Sequence, residues 1–222
     1  MVDRTYIVLP AKDEGTRIEA VIADIKKEGY YNIIVVDDGS TDNTARISEY
    51  AGASVIRHKI NLGAGAATQT GISHAISQGA HYIVTLDADQ QHFPSDITKL
   101  VSKLVDDKLD VVIGNRFMGG NKIPITREFL NGIGNIVSFL ASGIWIHDSQ
   151  SGFKVMSANF AKKSPLVSAG YEFCIEIIRY MKMHDANYTE VPIKVMYSKE
   201  TMEKGQNIGH GFRMISRIFR LF

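Results

Sequence analysis

The sequence has little of what marks a secreted, disulfide-bonded or nucleic-acid-binding protein. It contains a single cysteine, Cys174, which excludes an internal disulfide, and its first residues, MVDRTYIVLPAKDE, lack the apolar core of a signal peptide. Its formal net charge is only +1 at pH 7, so no overall positive field attracts nucleic acid. We therefore expect a protein of the reducing cytosol that has no nucleic-acid partner.

The chain carries enough apolar residues to build one sizeable core. It has 222 residues, of which 45% are hydrophobic, so any second domain would have to be small. We expect a main domain over residues 1–200. Residues 201–222 would form a flexible loop and a basic amphipathic C-terminal helix.

Short apolar runs rich in β-branched residues alternate with longer segments of helical period. The apolar runs cover residues 5–9, 33–36, 54–56, 82–86 and 111–113, and the helical segments cover 17–27, 41–50, 64–77 and 94–105. Ser40-Thr41-Asp42 marks one helix start and Pro94 marks another. The alternation predicts an α/β fold in which a mostly parallel central sheet is flanked by helices.

Polar residues follow four of the predicted strands. The chain reads LPAKDE, VVDDGSTDNT, TLDADQQH and VIGNRF at these four strand ends. In open α/β sheets, ligands bind beyond the carboxyl ends of the strands. We therefore expect these four loops to lie together and to form a ligand site.

Asp87 and Asp89 are two carboxylates one residue apart, directly after the apolar run at 82–86. On an extended strand with a rise of about 3.3 Å per residue, they would point the same way from positions roughly 6.6 Å apart. Two partly desolvated carboxylates favour a hard cation such as Mg²⁺ or Mn²⁺, which completes its shell with phosphate oxygens and water. Taken alone, DAD is more typical of a turn with a helix-capping acid pair; the accompanying motifs favour the metal. His92 is either a further ligand or a hydrogen-bond partner.

Asp37-Asp38-Gly39-Ser40 ends an earlier strand. Carboxylates at this place suit ribose hydroxyls and base N–H groups, and the same residues also suit a tight turn with a helix N-cap. The stretch NLGAGAA, residues 61–67, would let the backbone approach a ligand at a helix start. It does not complete the pattern G-x-G-x-x-G, because Thr68 stands at the third glycine, so a dinucleotide site is disfavoured.

Together these motifs resemble the family 2 glycosyltransferases of the GT-A fold, most closely the branch of dolichyl-phosphate mannose synthase and other polyprenyl-phosphate glycosyltransferases. The matching stretches, in order, are LPAKDE, IIVVDDGSTDNT, NLGAGAATQTGI, TLDADQQHFPSDI, GNRF, DSQSGFKV and EVPIKVMY. The resemblance implies a GT-A type sheet and a metal cofactor, Mg²⁺ or Mn²⁺. It also implies inverting transfer of a sugar from a UDP- or GDP-linked donor to a polyprenyl phosphate.

The resemblance further implies roles for individual residues. The nucleoside pocket would be lined by Pro10, Ala11, Glu14 and Asp38. The metal and the diphosphate would be held by Asp87, Asp89 and Gln91. The acceptor phosphate would be bound by Arg116 and Arg127, since a planar guanidinium matches phosphate oxygens; an exposed ion pair is the alternative for Arg127. The implied catalytic residues are Asp89, Asp148 and Arg116.

The role of Asp148, in DSQSGF, depends on the acceptor. A hydroxyl acceptor needs a general base, for which Asp148 is the candidate. A phosphate monoester is already largely a dianion at neutral pH and needs no base, so Asp148 would then orient its neighbours. A turn or helix-end acid is the alternative interpretation. Glu176, which is surrounded by apolar residues, is expected to support the site from behind.

Two segments raise the question of membrane contact. Residues 129–146, FLNGIGNIVSFLASGIWI, are eighteen residues without a charge, near the length of a spanning helix. Spanning would hold Arg127 and Asp148 about 30 Å apart, so interfacial helices or a buried helix interrupted by its glycines remain. The C-terminal GHGFRMISRIFRLF has the pattern of a basic amphipathic helix. We expect a peripheral protein at the cytosolic face of a membrane; self-association into a homo-oligomer stays open.

Three other functions compete with this interpretation. They are transfer to a saccharide hydroxyl with Asp148 as base, sugar nucleotidyl transfer, suggested by Gly15-Thr16-Arg17, and non-catalytic binding of nucleotide sugars or lipids. After the VPI strand, MYSKETMEKGQNIGHG departs from the Arg-x-x-Gly-x-Ser-Lys pattern of some relatives. The basic residue that reaches the diphosphate is therefore open among Lys199, Lys204 and His210.

Overall fold

The structure is a computed structural model that describes residues 1–121 and 123–196. The predicted boundary after residue 200 and the predicted C-terminal helix at 201–222 lie outside these residues. So do the three candidates for the diphosphate contact, Lys199, Lys204 and His210.

Within the described residues, strands and helices alternate as the apolar pattern predicts. The strands are β1 (Thr5–Ala11), β2 (Ile33–Asp37), β3 (Ser54–Arg57), β4 (Tyr82–Thr85), β5 (Val111–Asn115), β6 (Lys154–Ser157) and β7 (Tyr188–Pro192). The helices are α1 (Ile18–Lys27), α2 (Thr44–Tyr50), α3 (Ala64–Ser77), α4 (Ile97–Asp106), α5 (Ile125–Ser142), α6 (Ala158–Lys163) and α7 (Phe173–Met183). Short 3₁₀ turns cover Val2–Arg4 and Pro94–Asp96.

The described strands form one sheet in the order β3-β2-β1-β4-β6-β5-β7. All neighbouring pairs are parallel except those of β6, which runs antiparallel to both β4 and β5. The prediction of a mostly parallel sheet flanked by helices is therefore confirmed.

Both faces of the sheet are covered, which explains why its strands read as continuous apolar runs. Successive side chains of β1 point to opposite faces: Ile7 and Leu9 join a core that includes residues of α1 and α4, whereas Val8 joins a core that includes residues of α3, α6 and α7. These three β1 side chains are fully buried. Helices thus pack on both faces of the sheet, so the carboxyl ends of the strands are the place where a ligand is expected.

The antiparallel strand β6 changes what reaches that edge. Because β6 runs against its neighbours, the segment that precedes it, residues 148–153, lies at the same edge as the ends of β4 and β5. The apolar pattern of residues 154–157 is too short to predict this strand, and no local signal indicates its direction. The acidic segment around Asp148 therefore joins the site through topology.

Helix α5 is a single helix of eighteen residues whose polar side packs against the protein and whose apolar side is exposed, the reverse of the usual arrangement. Its glycines at 132 and 134 do not interrupt it, and Gly143 ends it in the left-handed conformation, with φ at 71°. The side that packs inward is polar or small: Asn131, Gly134, Asn135, Ser138 and Ser142. The apolar side chains face outward, and Ile125 is 82% exposed, Leu140 73% and Phe129 67%. Residues 129–146 thus form neither a buried apolar helix nor an interrupted one.

Candidate active site

The site is centred on the crevice between β1 and β4. The strand order turns from β2 and β3 on one side of β1 to β4 on the other, so this is the switch point at which open α/β sheets bind ligands. Pro10 and Ala11 end β1 here, and the loop with Asp87 and Asp89 follows β4. The first two predicted nucleoside residues therefore lie at the end of β1, and the predicted metal residues lie in the loop after β4, on the other side of the crevice.

The loop after β1 is tied to the loop after β2 by side-chain hydrogen bonds. Asp13 Oδ1 accepts from the Thr41 amide at 2.8 Å, and Thr44 Oγ1 accepts from the Glu14 amide at 2.9 Å. The Glu14 carboxylate itself pairs with Arg17 at 2.9 Å. Because Asp42 also accepts from the Thr44 amide, α2 begins at Thr44 and not at residue 41 as predicted.

Asp38 is held by its own chain. Its Oδ1 lies 2.8 Å from His58 Nδ1 and accepts from the Leu62 amide at 2.8 Å, and its Oδ2 accepts from the Gly63 amide at 2.8 Å. Burial raises the pKa of Asp38, but these hydrogen bonds outweigh burial and lower the pKa below the ordinary value. An ionised carboxylate has about four accepting sites, so roughly one is left for a nucleoside. His58, which was not predicted, also contacts Thr70 Oγ1 at 3.0 Å and braces Asp38 against α3.

Asp87 and Asp89 lie in a bend and not on an extended strand. β4 ends at Thr85, and Gln90 adopts a positive φ of 63°. Desolvation raises the pKa of Asp89 and the charge of Asp87 raises it further, so the two carboxylates interact. The two carboxylates therefore lie in one turn after β4, and not on an extended strand with period-two spacing as predicted.

The surroundings of Asp87 and Asp89 fit a hard divalent cation. The side chain of Asp87 is 42% exposed. In the described parts of the chain, no group of three or more His, Cys, Asp or Glu side chains forms a closed metal cage. Mg²⁺ and Mn²⁺ suit an open site of one or two carboxylates, because substrate phosphates and water complete the shell. The donor set thus matches a cation that arrives with a diphosphate.

Gln91 connects the acid pair to Arg127. Its amide nitrogen donates to Asp89 Oδ1 at 3.0 Å, its side-chain Nε2 donates to Asp89 Oδ2 at 2.5 Å, and its Oε1 accepts from Arg127 Nη1 at 3.3 Å. Arg127 lies in the first turn of α5. Two of the three predicted metal residues, Asp89 and Gln91, therefore form one hydrogen-bonded chain with the predicted phosphate residue Arg127.

His92 and Lys154 surround Asp87 with positive or polar groups. The buried His92 ring places Nε2 at 3.5 Å from Asp87 Oδ2 and packs edge-on against Phe153. Lys154 is fully buried on β6, where its Nζ donates to the Ser151 carbonyl. Desolvation raises the pKa of Asp87, but His92, Arg116 and Lys154 outweigh it and lower the pKa. Lys154 was not predicted from the sequence, where it stands in the short segment KVMS that forms β6.

Arg116 and Asp148 form a bidentate ion pair. Arg116 Nε donates to Asp148 Oδ2 at 2.8 Å, Nη2 donates to Oδ1 at 2.6 Å, and the Arg116 backbone amide donates to Oδ2 at 2.9 Å. The Asp148 side chain is 0% exposed. This geometry suits a carboxylate that orients a guanidinium and does not suit a carboxylate that removes a proton from a substrate.

The polar face of α5 supports the segment that carries Asp148. Asn131 and Asn135 both donate to the His147 carbonyl, at 3.1 Å and 2.7 Å, and Asn135 Oδ1 accepts from the Ser149 amide at 3.1 Å. The polar side chains of α5 therefore face inward because they satisfy the backbone of the site. This explains the inverted helix.

Glu176 and the glycine-rich stretch have structural partners. Glu176 is buried and accepts from the amides of Val167 and Ser168, both at 2.9 Å, so it is a hydrogen-bonding residue of the interior, and its support of the site stays a prediction. The loop that it holds places the Ala169 carbonyl 2.8 Å from the Gly65 amide at the start of α3. A Cβ on Gly65 would lie 2.1 Å from the Ser168 carbonyl oxygen. The close approach expected for a ligand at residues 61–67 is thus made by this loop.

No helix in residues 1–121 and 123–196 combines the length and apolarity that a bilayer crossing requires. The outward apolar side chains of α5 are joined by Trp145, which packs edge-on against Phe139 and His147 with ring centroids 5.9 Å and 6.4 Å apart. They form an exposed apolar surface beside the segment that carries Asp148.

Comparison with known proteins agrees with this architecture. The chain is 38% identical over 221 residues to an uncharacterized protein of Methanocaldococcus jannaschii, covering 97% of this chain and 91% of that protein. It is 33% identical over 238 residues to the UDP-N-acetylglucosamine–dolichyl-phosphate N-acetylglucosaminyltransferase of Methanococcus voltae, covering 97% and 95%.

A solved structure shares the fold at low identity. The glucosyl-3-phosphoglycerate synthase of Mycobacterium tuberculosis, in complex with Mn²⁺, uridine diphosphate and glucosyl-3-phosphoglycerate, superposes with a TM-score of 0.71 at 18% identity, covering 97% of this chain and 78% of that one. The sequence profile of glycosyl transferase family 2 matches residues 6–163. The chain, with its GT-A fold, therefore belongs to glycosyl transferase family 2 and is a glycosyltransferase.

Proposed function

We propose that this enzyme transfers a sugar, with inversion, from a nucleoside-diphosphate sugar to a polyprenyl phosphate. The observation that carries the proposal is the bidentate pairing of the buried Asp148 with Arg116. In the described residues this pairing removes the obvious general base from proton transfer. A phosphate monoester needs no base, because it is already largely dianionic near neutral pH.

On the donor side, the nucleoside lies against Pro10, Ala11, Glu14 and Asp38, and the diphosphate lies beside Asp87, Asp89 and Gln91. A bound Mg²⁺ or Mn²⁺ would neutralise charge on the departing diphosphate. The M. tuberculosis protein of the same fold was solved with Mn²⁺ and uridine diphosphate, which supports this division. Asp89 then acts at the leaving group, and Gln91 keeps its carboxylate in place.

On the acceptor side, Arg116 and Arg127 bind the phosphate. A phosphate oxygen attacks the anomeric carbon while the bond from that carbon to the diphosphate breaks, so the products are a sugar phosphodiester and a nucleoside diphosphate. Asp148 orients Arg116 for this step. The hydrogen bonds from Arg127 to Gln91 and from Gln91 to Asp89 join the acceptor site to the donor site. They hold the two substrates in a fixed position relative to each other.

The acceptor class also accounts for the apolar surface of α5. Arg127 in its first turn would face the phosphate, while exposed side chains such as Phe129 and Leu140 would face lipid. The M. voltae relative is named for a dolichyl-phosphate acceptor. We infer peripheral contact with the cytosolic face of a membrane, where nucleotide sugars are available.

The proposal is tested by a screen of UDP- and GDP-linked sugars with a short polyprenyl phosphate and Mn²⁺, in which product mass identifies the transferred sugar. The control acceptor is the corresponding polyprenol, which differs only in lacking the phosphate. We expect product from the phosphate alone and none after chelation of the metal. Transfer to the polyprenol or to a saccharide at a similar rate would contradict the phosphate acceptor, and full activity in chelator would contradict the metal.

A further inference from the structure

Glu190, in the middle of β7, gathers four N–H groups from two segments that flank Arg116. Its Oε1 accepts from Asn115 Nδ2 at 2.9 Å and from the Asp148 amide at 3.0 Å. The His147 amide lies 3.1 Å from both carboxylate oxygens, and His147 Nδ1 lies 2.7 Å from Oε2. The Glu190 side chain is only 11% exposed, so these contacts replace most of its water.

One of the two segments positions the backbone of Arg116, and the other positions its guanidinium. Asn115 Oδ1 accepts from the amides of Phe117 and Met118, at 2.8 Å and 3.0 Å, and so shapes the turn that contains the Arg116 backbone. Asp148, in the second segment, forms the ion pair with the Arg116 guanidinium. Glu190 is hydrogen-bonded to both segments, at Asn115 on one side and at His147 and Asp148 on the other. The position of Glu190 therefore helps to fix how far the guanidinium of Arg116 lies from the Arg116 backbone.

We propose that Glu190 is a positioning residue for the acceptor-phosphate site and acts on Arg116 through Asp148 and Asn115. The proposal rests on the proposed function, because Arg116 is assigned there to the acceptor phosphate. The residue has to be a carboxylate. A glutamine would present one accepting oxygen and one NH₂ group, and in either orientation the NH₂ group would face the His147 backbone N–H, which lies 3.1 Å from both carboxylate oxygens.

The test is steady-state kinetics of Glu190→Gln with the donor identified by the screen and with short polyprenyl phosphate. We expect the KM for polyprenyl phosphate to rise roughly 10- to 100-fold, which is the range for loss of a hydrogen bond to a charged group, while the KM for the donor stays within about twofold. Glu49→Gln, an exposed glutamate on α2, is the matched control and should change neither constant.

A double-mutant cycle separates positioning from a general structural effect. If Glu190 acts through Arg116, then Glu190→Gln adds little to the acceptor KM of Arg116→Ala. Additive effects in the cycle, or an equal rise of both KM values in the single variant, would overturn the proposal. So would an acceptor KM that stays at the wild-type value.

A variant that does not fold leaves a second measurement. His147→Ala removes one donor to Glu190 from a side chain that is 65% exposed, so the fold should persist. We expect a rise of a few-fold in the acceptor KM alone, and an unchanged value would overturn the proposal. Absence of any transfer to polyprenyl phosphate by the wild-type enzyme would refute the proposed function instead, so the two failures are distinguishable.

Discussion

Gly152, just before β6, lies against the carboxylate of Asp87, and we predict that Gly152→Ala damages the donor site without unfolding the protein. A Cβ on Gly152 would lie 2.3 Å from Asp87 Oδ2 and 2.6 Å from Oδ1, whereas contacts of real Cβ atoms under 3.0 Å essentially never occur. The carboxylate would therefore have to move by about 0.7 Å or more, the gap between 3.0 Å and 2.3 Å. The φ of Gly152 is outside the left-handed region, so alanine fits the backbone.

The displacement should cost activity more than stability. A misplacement of about 1 Å in a reacting arrangement can lower a rate roughly 100-fold, so we expect transfer to fall by about one to two orders of magnitude. The part that moves is the end of a flexible side chain that is 42% exposed, and it can rotate into the crevice. The free energy of unfolding should therefore change by less than about 1 kcal/mol.

The assay is the rate of sugar transfer as a function of Mn²⁺ concentration, together with thermal unfolding. The control is Gly132→Ala, the same substitution in the interior of α5, where a Cβ meets nothing within 4 Å. It should leave transfer unchanged and stabilise the fold by roughly 0.5–1 kcal/mol, which corresponds to about 1–4 °C in Tm. Wild-type transfer in Gly152→Ala at every Mn²⁺ concentration would refute the link between the place of Asp87 and catalysis.

Three further changes test other parts of the molecule. Asp89→Asn keeps the shape and removes the charge, so transfer should fall by at least about 100-fold with Tm nearly unchanged; full activity would be fatal to the metal proposal. Gly65→Ala brings a Cβ within 2.1 Å of the Ser168 carbonyl oxygen and should destabilise the fold by about 1–3 kcal/mol in urea unfolding, a loss that a wild-type midpoint would disprove. The lowered pKa of Asp38 favours its ionised form in the folded state, so its stabilisation is present above the ordinary aspartate value of 3.8 and is lost as pH falls through the folded value. Unfolding free energies measured from pH 7 to pH 3 should therefore fall less steeply in Asp38→Asn than in the wild type, and equal slopes would contradict this account.

The local pattern of the sequence was sufficient for the fold class and for the strand ends at which the candidate site lies. Apolar periods of 2 and 3.6 depend on neighbours along the chain, so β1, β2, α3 and the loops after them could be predicted within a few residues. The ordered motifs also indicated the family, and membership in glycosyl transferase family 2 disfavours nucleotidyl transfer and a non-catalytic module. The metal, acceptor and membrane roles of individual residues remain predictions with the tests given above.

Only the tertiary structure decided how distant residues combine. The antiparallel β6 brings Asp148 to Arg116, thirty-two positions away, and β7 brings Glu190 beneath both. No local pattern encodes such pairs, because strand order and direction depend on the packing of the whole sheet. The same holds for α5, for whose uncharged run the sequence left interfacial helices and a buried helix interrupted by its glycines equally open. Its asparagines turn inward because the backbone at residues 147–149 needs hydrogen-bond partners, and its apolar side chains are thereby left outside.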